Sequence, residues 1–259
     1  MPAVRAEAFR MCLVLLAVDP DGDVPLIVAA NRDERHDRPA DALAWWSDRP
    51  GVLAGRDRVA GGTWFGVGAD GRFAAVLNDH RFPPPTGAPS RGGVVPGFLE
   101  SPDPVARLHV LVAERERYAG FHLLGGCAAG IHYCARVTDA PIVLGPGLHT
   151  VDNTGLDIDD PRSARARWRI GSLLEAAGDP ESILAALADE EDPGSGGGDR
   201  RPIFIRDPVF GTRCSTVLRV DADGLATCHE RLFDATGAVS GESSASWQCE
   251  RVATAVCRD

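Results

Sequence analysis

The pair Met11-Cys12, which stands directly before an apolar run, is the feature that most constrains this 259-residue chain. Cys12 opens the run 12–18, whose length and apolar content predict a buried strand. If translation starts at Met11, removal of that methionine leaves Cys12 as the first residue. A terminal cysteine carries a thiol nucleophile and also a base, because its α-amino group has a pKa near ~8. The alternative is that Cys12 is an ordinary buried strand residue, as most free cysteines are.

A second predicted strand ends in four polar residues. The apolar residues 26–30 run directly into the 31–34 segment, Asn-Arg-Asp-Glu. A short turn over residues 19–23 separates this strand from the one that begins at Cys12. A strand that ends in such a segment delivers its polar side chains to a sheet edge or a cleft. The alternative interpretation is a solvated turn.

Five further motifs follow in the chain. They are Gly55-Arg56-Asp57, Gly61-Gly62-Thr63-Trp64-Phe65-Gly66-Val67, Gly71-Arg72-Phe73-Ala74-Ala75-Val76-Leu77-Asn78, Ser90-Arg91-Gly92 and Gly211-Thr212-Arg213-Cys214-Ser215-Thr216-Val217. Together with the cysteine strand and the 31–34 segment, this series resembles the NRDE family, also called the transport-and-Golgi-organisation family. The resemblance covers roughly residues 11 to 233. It is specific because the motifs occur together, in order and with sensible spacing; no single motif would be.

That family in turn is similar to the N-terminal-nucleophile (Ntn) hydrolase branch that contains bile-salt and penicillin V amidases and penicillin acyltransferases. The resemblance implies an α+β fold, a four-layer αββα sandwich. It also implies a hydrolase or acyltransferase in which Cys12 attacks a small amide, ester or thioester. The family has also been linked to haem handling and to lipid or acyl-CoA metabolism. Those links imply the alternative, a non-catalytic haem or lipid/acyl-CoA carrier that uses the same cleft.

The candidate catalytic residues are Cys12, Asp33, Asn78, Asn153 and Arg213. Asn78 ends a predicted strand, so its amide is a candidate donor to the oxyanion of a tetrahedral intermediate. Asn153 follows another strand, where the resemblance implies a second asparagine. For both residues the alternative is a turn asparagine. Asp33 is a candidate acceptor that holds the α-amino group or orients the nucleophile.

The candidate substrate-binding residues are Arg32 and Trp64. Arg32 and Arg213 supply charge-assisted donors that either keep the thiol partly ionised or bind a substrate carboxylate, and the alternative for each is a structural arginine–carboxylate pair. Trp64 is a candidate, with Trp45 and Trp46, for an apolar acyl pocket; the alternative is core packing. Glu34 is interpreted as a supporting residue.

Composition narrows the function classes. The net charge of −10 argues against a nucleic-acid partner, so we expect a small-molecule substrate or an amphipathic ligand. The sequence contains no lysine, which excludes Lys Schiff-base chemistry, a P-loop lysine and a lysine general base. Since no apolar stretch reaches about 18 residues, we expect no membrane span.

The cysteines predict neither disulfides nor a metal site. Their number, seven, is odd and their spacing is scattered, which favours a reducing, cytoplasmic location. His132 and Cys134 alternate in one candidate strand, and Cys228 and His229 lie in another, but no CxxC spacing accompanies them. No CxxCH or Cys-Pro haem motif is present, and we expect no metal and no cofactor.

We expect a single domain over residues 12–259, preceded by an N-terminal extension or misannotated start over residues 1–11. The proline-rich segment 83–89 is predicted to be a loop that borders the site, and the glycine-rich segment 192–199 a flexible loop or linker. Apolar runs and alternation predict strands at 12–18, 25–31, 63–68, 72–78, 120–126, 130–136, 148–152, 202–206, 214–220 and 225–233, and helices at about 103–117, 161–177 and 180–190.

Overall fold

A computed structural model describes residues 12–19, 21–191 and 202–249. The expected extension over 1–11 and the glycine-rich segment 192–199 lie outside the described residues. In chain order the elements are β1 (Leu13–Val18), β2 (Leu26–Arg35), β3 (Ala40–Trp46), β4 (Arg49–Asp57), β5 (Phe65–Gly68), β6 (Phe73–Asn78), α1 (Val94–Leu99), α2 (Pro104–Ala113), β7 (Phe121–Cys127), β8 (Gly130–Ala135), β9 (Ile142–Leu144), β10 (Gly147–Asp152), α3 (Pro161–Glu175), α4 (Pro180–Leu187), β11 (Phe210–Val220), β12 (Leu225–Phe233) and β13 (Val239–Gln248).

The strands form two antiparallel sheets. Sheet A has the order β10-β1-β2-β11-β12-β13, and sheet B has the order β3-β4-β5-β6-β7-β8-β9. Sheet B follows the chain order, whereas sheet A combines the first two strands with β10 and the last three. Residues that are far apart in sequence therefore become neighbours in sheet A, and β2 pairs with β11 along almost its whole length.

Alternation along the central strands of sheet A creates two separate apolar layers. Val14 and Leu16 of β1 face sheet B, while Leu13 and Leu15 face α3 and α4. Because both faces of β1 are covered, the strand reads as a continuous apolar run rather than as alternation. Helices α1 and α2 cover the outer face of sheet B through a third apolar cluster. The result is the four-layer αββα sandwich of the expected α+β class.

Three helices begin with the same dipeptide, Asp-Pro. Asp103, Asp160 and Asp179 are the N-cap residues of α2, α3 and α4, and their carboxylates accept main-chain N–H groups of the first turn. Proline occupies the first helical position in each case, where its missing N–H costs no hydrogen bond. No helix in the described ranges has both the length and the hydropathy that crossing a bilayer requires.

The 31–34 segment does not lie in a turn. It continues β2 to Arg35, because β11 pairs with it residue by residue: Gly211 lies opposite Glu34 and Thr212 opposite Asp33. The expected strand end at residue 31 is therefore wrong. The polar residues stay in the sheet because a long partner strand supplies their main-chain hydrogen bonds.

The predicted strand 202–206 is also wrong. Ile203 and Phe204 are buried, as their apolar character indicates, but only Arg206 forms an isolated bridge, to Gly211. The carbonyl oxygen of Ile203 accepts hydrogen bonds from the side chains of Asn31 and Arg162 instead of from a neighbouring strand. The apolar pattern thus reports burial here, not a β-ladder.

Candidate functional site

A cavity of about 580 Å³ opens at one end of the sandwich, where β1 and β11 begin and β2 and β6 end. Its volume is in the range of small-molecule sites. The residues that the sequence analysis singled out and that line it are Cys12, Arg32, Asp33, Trp64, Asn78 and Arg213, with Glu34 beside them. The topology of sheet A thus brings together residues that are up to about 200 positions apart in the chain.

Cys12 lies directly before β1, on the face of the sheet that looks towards the cavity. Leu13, the first residue of β1, pairs with Asn31 of β2 and with Asp152 of β10, so Cys12 lies at the end of the ladder between these two strands. The Cys12 thiol lies 3.7 Å from the main-chain oxygen of Asp33. Burial, followed by the negative charge of Asp33, raises the pKa of the thiol to about 12. The thiol is therefore neutral at physiological pH and is a weak nucleophile without a base.

The carboxylate of Asp33 points to the opposite face of β2, towards the helices. It accepts a hydrogen bond of 2.6 Å from Arg162 of α3 and another of 2.6 Å from the Thr212 hydroxyl. Both side chains of the Asp33–Arg162 ion pair are completely buried. The contact between Asp33 and the Cys12 thiol thus comes from the main chain, while the carboxylate ties β2, β11 and α3 together at the cavity.

Arg213 owes its position to a β-bulge. Thr212 pairs with Asp33 and Cys214 pairs with Arg32, so Arg213 is the extra residue between them. A bulge of this kind redirects one side chain without disturbing the rest of the ladder. Arg213 Nη1 donates to the carbonyl oxygens of Arg35 and His36, at 3.0 Å each, and its buried Nε has no partner among the described residues.

Arg32 and Glu34 lie on the cavity face of β2 in a loose network of charges. Arg32 Nη2 is 3.8 Å from Glu34 Oε2 and 3.9 Å from Asp57 Oδ2. The tighter contact of Asp57 is with Arg38 Nε, at 2.6 Å. Burial opposes ionisation of Asp57, but the hydrogen bonds from Arg38 and from the main chain of Val59 and Ala60 outweigh it and lower its pKa. The Gly-Arg-Asp motif therefore supplies a permanent negative charge beside the cavity.

The two candidate asparagines differ in position: Asn78 lines the cavity, whereas Asn153 is not among the described residues that line it. Asn78 is the last residue of β6 and lines the cavity from sheet B. Asn153 follows β10 and is buried, and neither its Oδ1 nor its Nδ2 has a hydrogen-bond partner among the described residues. The main-chain oxygen of Asn153 is fixed by His122 Nε2 at 3.3 Å. Buried amides are rarely left without partners, so the Asn153 amide is a group whose hydrogen-bonding capacity is unused within the described residues.

Of the three candidate tryptophans, Trp45, Trp46 and Trp64, only Trp64 borders the cavity. Trp46 is buried against the outer face of sheet B and donates to the Ala54 carbonyl oxygen, and Trp45 packs edge-on against Trp247. An acyl pocket formed by all three indoles is therefore not present in the described residues. Within those residues no group of three or more His, Cys, Asp or Glu side chains is arranged to hold a metal ion.

Three residues without a role predicted from the sequence also line the cavity: Arg91, Cys214 and Glu230. Burial raises the pKa of Glu230, whose Oε1 accepts the main-chain N–H of Leu43 at 2.7 Å. Arg91 was recognised as part of a motif, but nothing in the sequence showed that the motif reaches the cavity. Glu230 carried no signal, because a glutamate in an alternating strand normally faces solvent.

Comparison with known proteins identifies the family of this chain. The family model described as Transport and Golgi organisation 2 matches residues 11–235. The chain belongs to that family. The matched segment contains every candidate site residue, from Cys12 to Arg213.

Two curated relatives match most of the chain. The "Transport and Golgi organization protein 2 homolog" of Bos taurus is 32% identical, and that of Homo sapiens is 30% identical; each match covers 85% of this chain and 92% of the relative. Among solved structures, the Caenorhabditis elegans N-acylethanolamine-hydrolyzing acid amidase ortholog has a TM-score of 0.48 at 13% identity, covering 80% of this chain and 92% of the amidase.

Proposed function

We propose that the protein is an Ntn-type hydrolase or acyltransferase whose mature chain begins at Cys12 and whose substrate is a small amide, ester or thioester. The observation that carries the proposal is the position of Cys12 at the cavity end of β1, in a cavity that Asn78 also lines. Acyl transfer needs a nucleophile and donors to the oxyanion, and Asn78 is the amide donor that shares the cavity with the thiol. Asn153, whose buried amide has no partner among the described residues, follows the neighbouring strand β10 and is the second donor in this proposal.

The raised pKa of the thiol makes the base essential. With a pKa of about 12, the thiol is almost entirely protonated at pH 7. The α-amino group of a terminal Cys12, with a pKa near ~8, is the base on the same residue. If any residue precedes Cys12, this amine becomes an amide and accepts no proton.

The proposed reaction has two halves. The α-amino group takes the proton of the thiol as Sγ attacks the carbonyl carbon, and the amides of Asn78 and Asn153 donate to the resulting oxyanion. Collapse of the tetrahedral intermediate breaks the bond to the leaving group, which receives the proton from the ammonium group, and a thioester to Cys12 remains. Water or another acceptor then attacks the thioester by the reverse sequence of proton transfers.

A carrier for haem or for a lipid or acyl-CoA is the second candidate. It is favoured by the neutral thiol, since an unionised Cys12 in a roomy cavity is an inert wall residue if the residues before it are retained. The two candidates differ in what Cys12 contributes, because a carrier needs no nucleophile.

The deciding experiment combines mass and kinetics. Intact-mass analysis of protein expressed from its native locus is expected to show Cys12 as the first residue. Mixed with a 4-nitrophenyl ester, that protein is expected to release a burst of 4-nitrophenolate equal to the enzyme concentration and to gain the mass of one acyl group. The Cys12→Ala variant is expected to show neither. Equal turnover in both proteins would reject Cys12 as the nucleophile, and tight haem or acyl-CoA binding in both, without turnover, would establish the carrier.

A further inference from the structure

The charged side chains around the cavity differ in how they are paired. Among its lining residues, Asp33 is paired with Arg162, Asp57 with Arg38 and Asp41 with Arg58. Arg91 and Arg213, by contrast, make no ion pair with any carboxylate of the described residues, and their hydrogen bonds within those residues go to main-chain oxygens.

Arg91 is held in place by two motifs whose role the proposed reaction does not explain. Ser90 accepts the N–H of Gly92, and the carbonyl oxygen of Gly92 accepts the N–H of Thr63 at 3.0 Å. Gly62 and Gly92 pack so closely that a Cβ on Gly62 would lie 2.1 Å from the Gly92 oxygen. The Gly-Gly-Thr-Trp and Ser-Arg-Gly motifs therefore fix each other, and Arg91 is fixed with them.

The Arg91 guanidinium is fixed further by the Gly120 carbonyl oxygen, which accepts from Nη1. Burial lowers the pKa of Arg91, and the charge of Arg38 lowers it further, while Cys12 and Asp79 act in the opposite direction. The Asp79 carboxylate is already engaged by Arg81 through both of its oxygens. A partly buried guanidinium without its own counter-ion is costly unless an anion joins it.

Arg91 lacks a carboxylate partner among the described residues although the chain as a whole is acidic, with a net charge of −10. Arg213 faces the same cavity from sheet A, and its buried Nε is a further donor without a partner among the described residues. Guanidinium groups fixed on both sides of a cavity match the oxygen atoms of a carboxylate or a phosphate.

We propose that Arg91 and Arg213 form an anion subsite, and that the substrate is an acyl compound that carries a carboxylate or phosphate group in addition to its scissile bond. The inference rests on the proposed function for the scissile bond, but the anion subsite itself is independent of it. Arg91 is a substrate-binding residue in this assignment, and the two glycine-containing motifs position it.

The kinetic test uses two esters of equal chain length, 4-nitrophenyl hydrogen adipate, which ends in a carboxylate, and 4-nitrophenyl hexanoate, which does not. The protein is expressed from Met11, and Cys12 is verified as its first residue. We expect the second-order rate constant of its acylation to be about 10- to 100-fold larger with the adipate ester than with the hexanoate ester, which is the effect of one charge-assisted hydrogen-bonding site. Rising salt should reduce this preference. Arg91→Gln should remove it, and Arg91→Lys should retain part of it.

A matched control is Arg49→Gln, which removes one positive charge from an exposed pair with Glu100 outside the cavity. Its preference between the two esters is expected to equal that of the unmodified protein. Thermal unfolding of each variant verifies that the fold is retained.

A binding test that needs no reaction separates the two proposals. Calorimetric titration of the Cys12→Ala protein with adipate and with inorganic phosphate should show binding that Arg91→Gln weakens about 10- to 100-fold. The tighter of the two anions identifies the group on the substrate. Arg91-dependent binding without acylation of any ester would support the subsite and reject the hydrolase. Acylation of both esters at equal rates, with no effect of Arg91→Gln on rate or binding, would overturn the subsite and leave the hydrolase standing.

Discussion

The two faces of β2 at the 31–34 segment differ in how completely their polar groups are paired. On the helix face, Asn31 donates to the carbonyl oxygens of Leu187 and Ile203 at 2.9 and 3.0 Å and accepts from the Ser215 hydroxyl at 2.6 Å. Asp33 on the same face has two contacts of 2.6 Å. On the cavity face, the contacts of the Arg32 guanidinium with carboxylates of the described residues are two loose ion pairs, of 3.8 and 3.9 Å.

The difference indicates that the two faces of the 31–34 segment have different roles. The helix face uses short, buried contacts to join β2 to α3, α4 and β11, so its substitution should affect stability. The cavity face keeps charged groups that are loosely paired, such as Arg32 with Glu34 and Asp57. Substitution of residues on the cavity face should affect the rate of the reaction more than stability, because groups that are loosely paired contribute little to stability but can bind a ligand.

The largest effect is expected at Arg162. Arg162→Met leaves the buried carboxylate of Asp33 without its ion-pair partner, and the free energy of unfolding should fall by about 3–5 kcal/mol in urea denaturation. Adding Asp33→Asn should recover part of the loss, because the uncompensated charge is removed.

A matched control lies on the same helix. Arg167 pairs with the exposed Asp159 at 3.3 Å, so Arg167→Met should change stability by no more than about 0.5 kcal/mol. If the Arg162→Met and Arg167→Met variants were equally stable, the buried contacts on the helix face of β2 would not be important for stability.

The next effect concerns chemistry alone. Asn78→Ala and Asn153→Ala should each slow acylation by a 4-nitrophenyl ester about 10²- to 10³-fold, equivalent to about 3–4 kcal/mol, because only acylation builds an oxyanion. Labelling of Cys12 by iodoacetamide builds none and should proceed at the unmodified rate. Equal slowing of both reactions would mean that the substitutions had displaced Cys12 rather than removed an oxyanion donor.

Asn31 completes this set, since it is the one remaining asparagine of the chain. Asn31→Ala leaves the carbonyl oxygen of Leu187 without its side-chain donor and removes one of the two side-chain donors to the carbonyl oxygen of Ile203, and should lower stability by about 1–3 kcal/mol. The acylation rate of the folded protein should stay within a few-fold of the unmodified one. A 10²-fold loss of acylation with unchanged stability would reverse the assignment of the two faces.

The sequence predicts the layers of the fold better than their edges. The resemblance to Ntn hydrolases led to the αββα sandwich, and the apolar runs located the central strands. The hairpin of β3 and β4, the edge strand β13 and helix α1 were missed. β13 alternates between exposed and half-exposed positions and has no buried face, so no hydrophobic period marks it.

Residues of the candidate site could be predicted where they belong to a sequence motif. Residues that only tertiary packing brings to the site could not be predicted. Cys12, Asp33, Asn78 and Arg213 were selected from motifs, and they line one cavity. Arg162 follows an Asp-Pro helix start and reads as an exposed arginine in the first turn, yet it is completely buried against Asp33. Its role depends on where α3 crosses sheet A, which no local pattern encodes.

The smallest effect is expected from Glu230, the buried carboxyl group that lines the cavity from β12. Burial raises its pKa above 4.5, although the Leu43 N–H, the Cys214 thiol and Arg32 favour the charged form. Its contribution to stability is thus fully present at low pH and is lost as the pH rises through the raised pKa.

Glu230→Gln keeps an acceptor for Leu43 and never ionises. The free energy of unfolding of the variant minus that of the unmodified protein should therefore increase with pH above 4.5. Urea denaturation from acid to neutral pH measures this difference, and a difference that does not change with pH would show that the cavity solvates the carboxylate as well as water does.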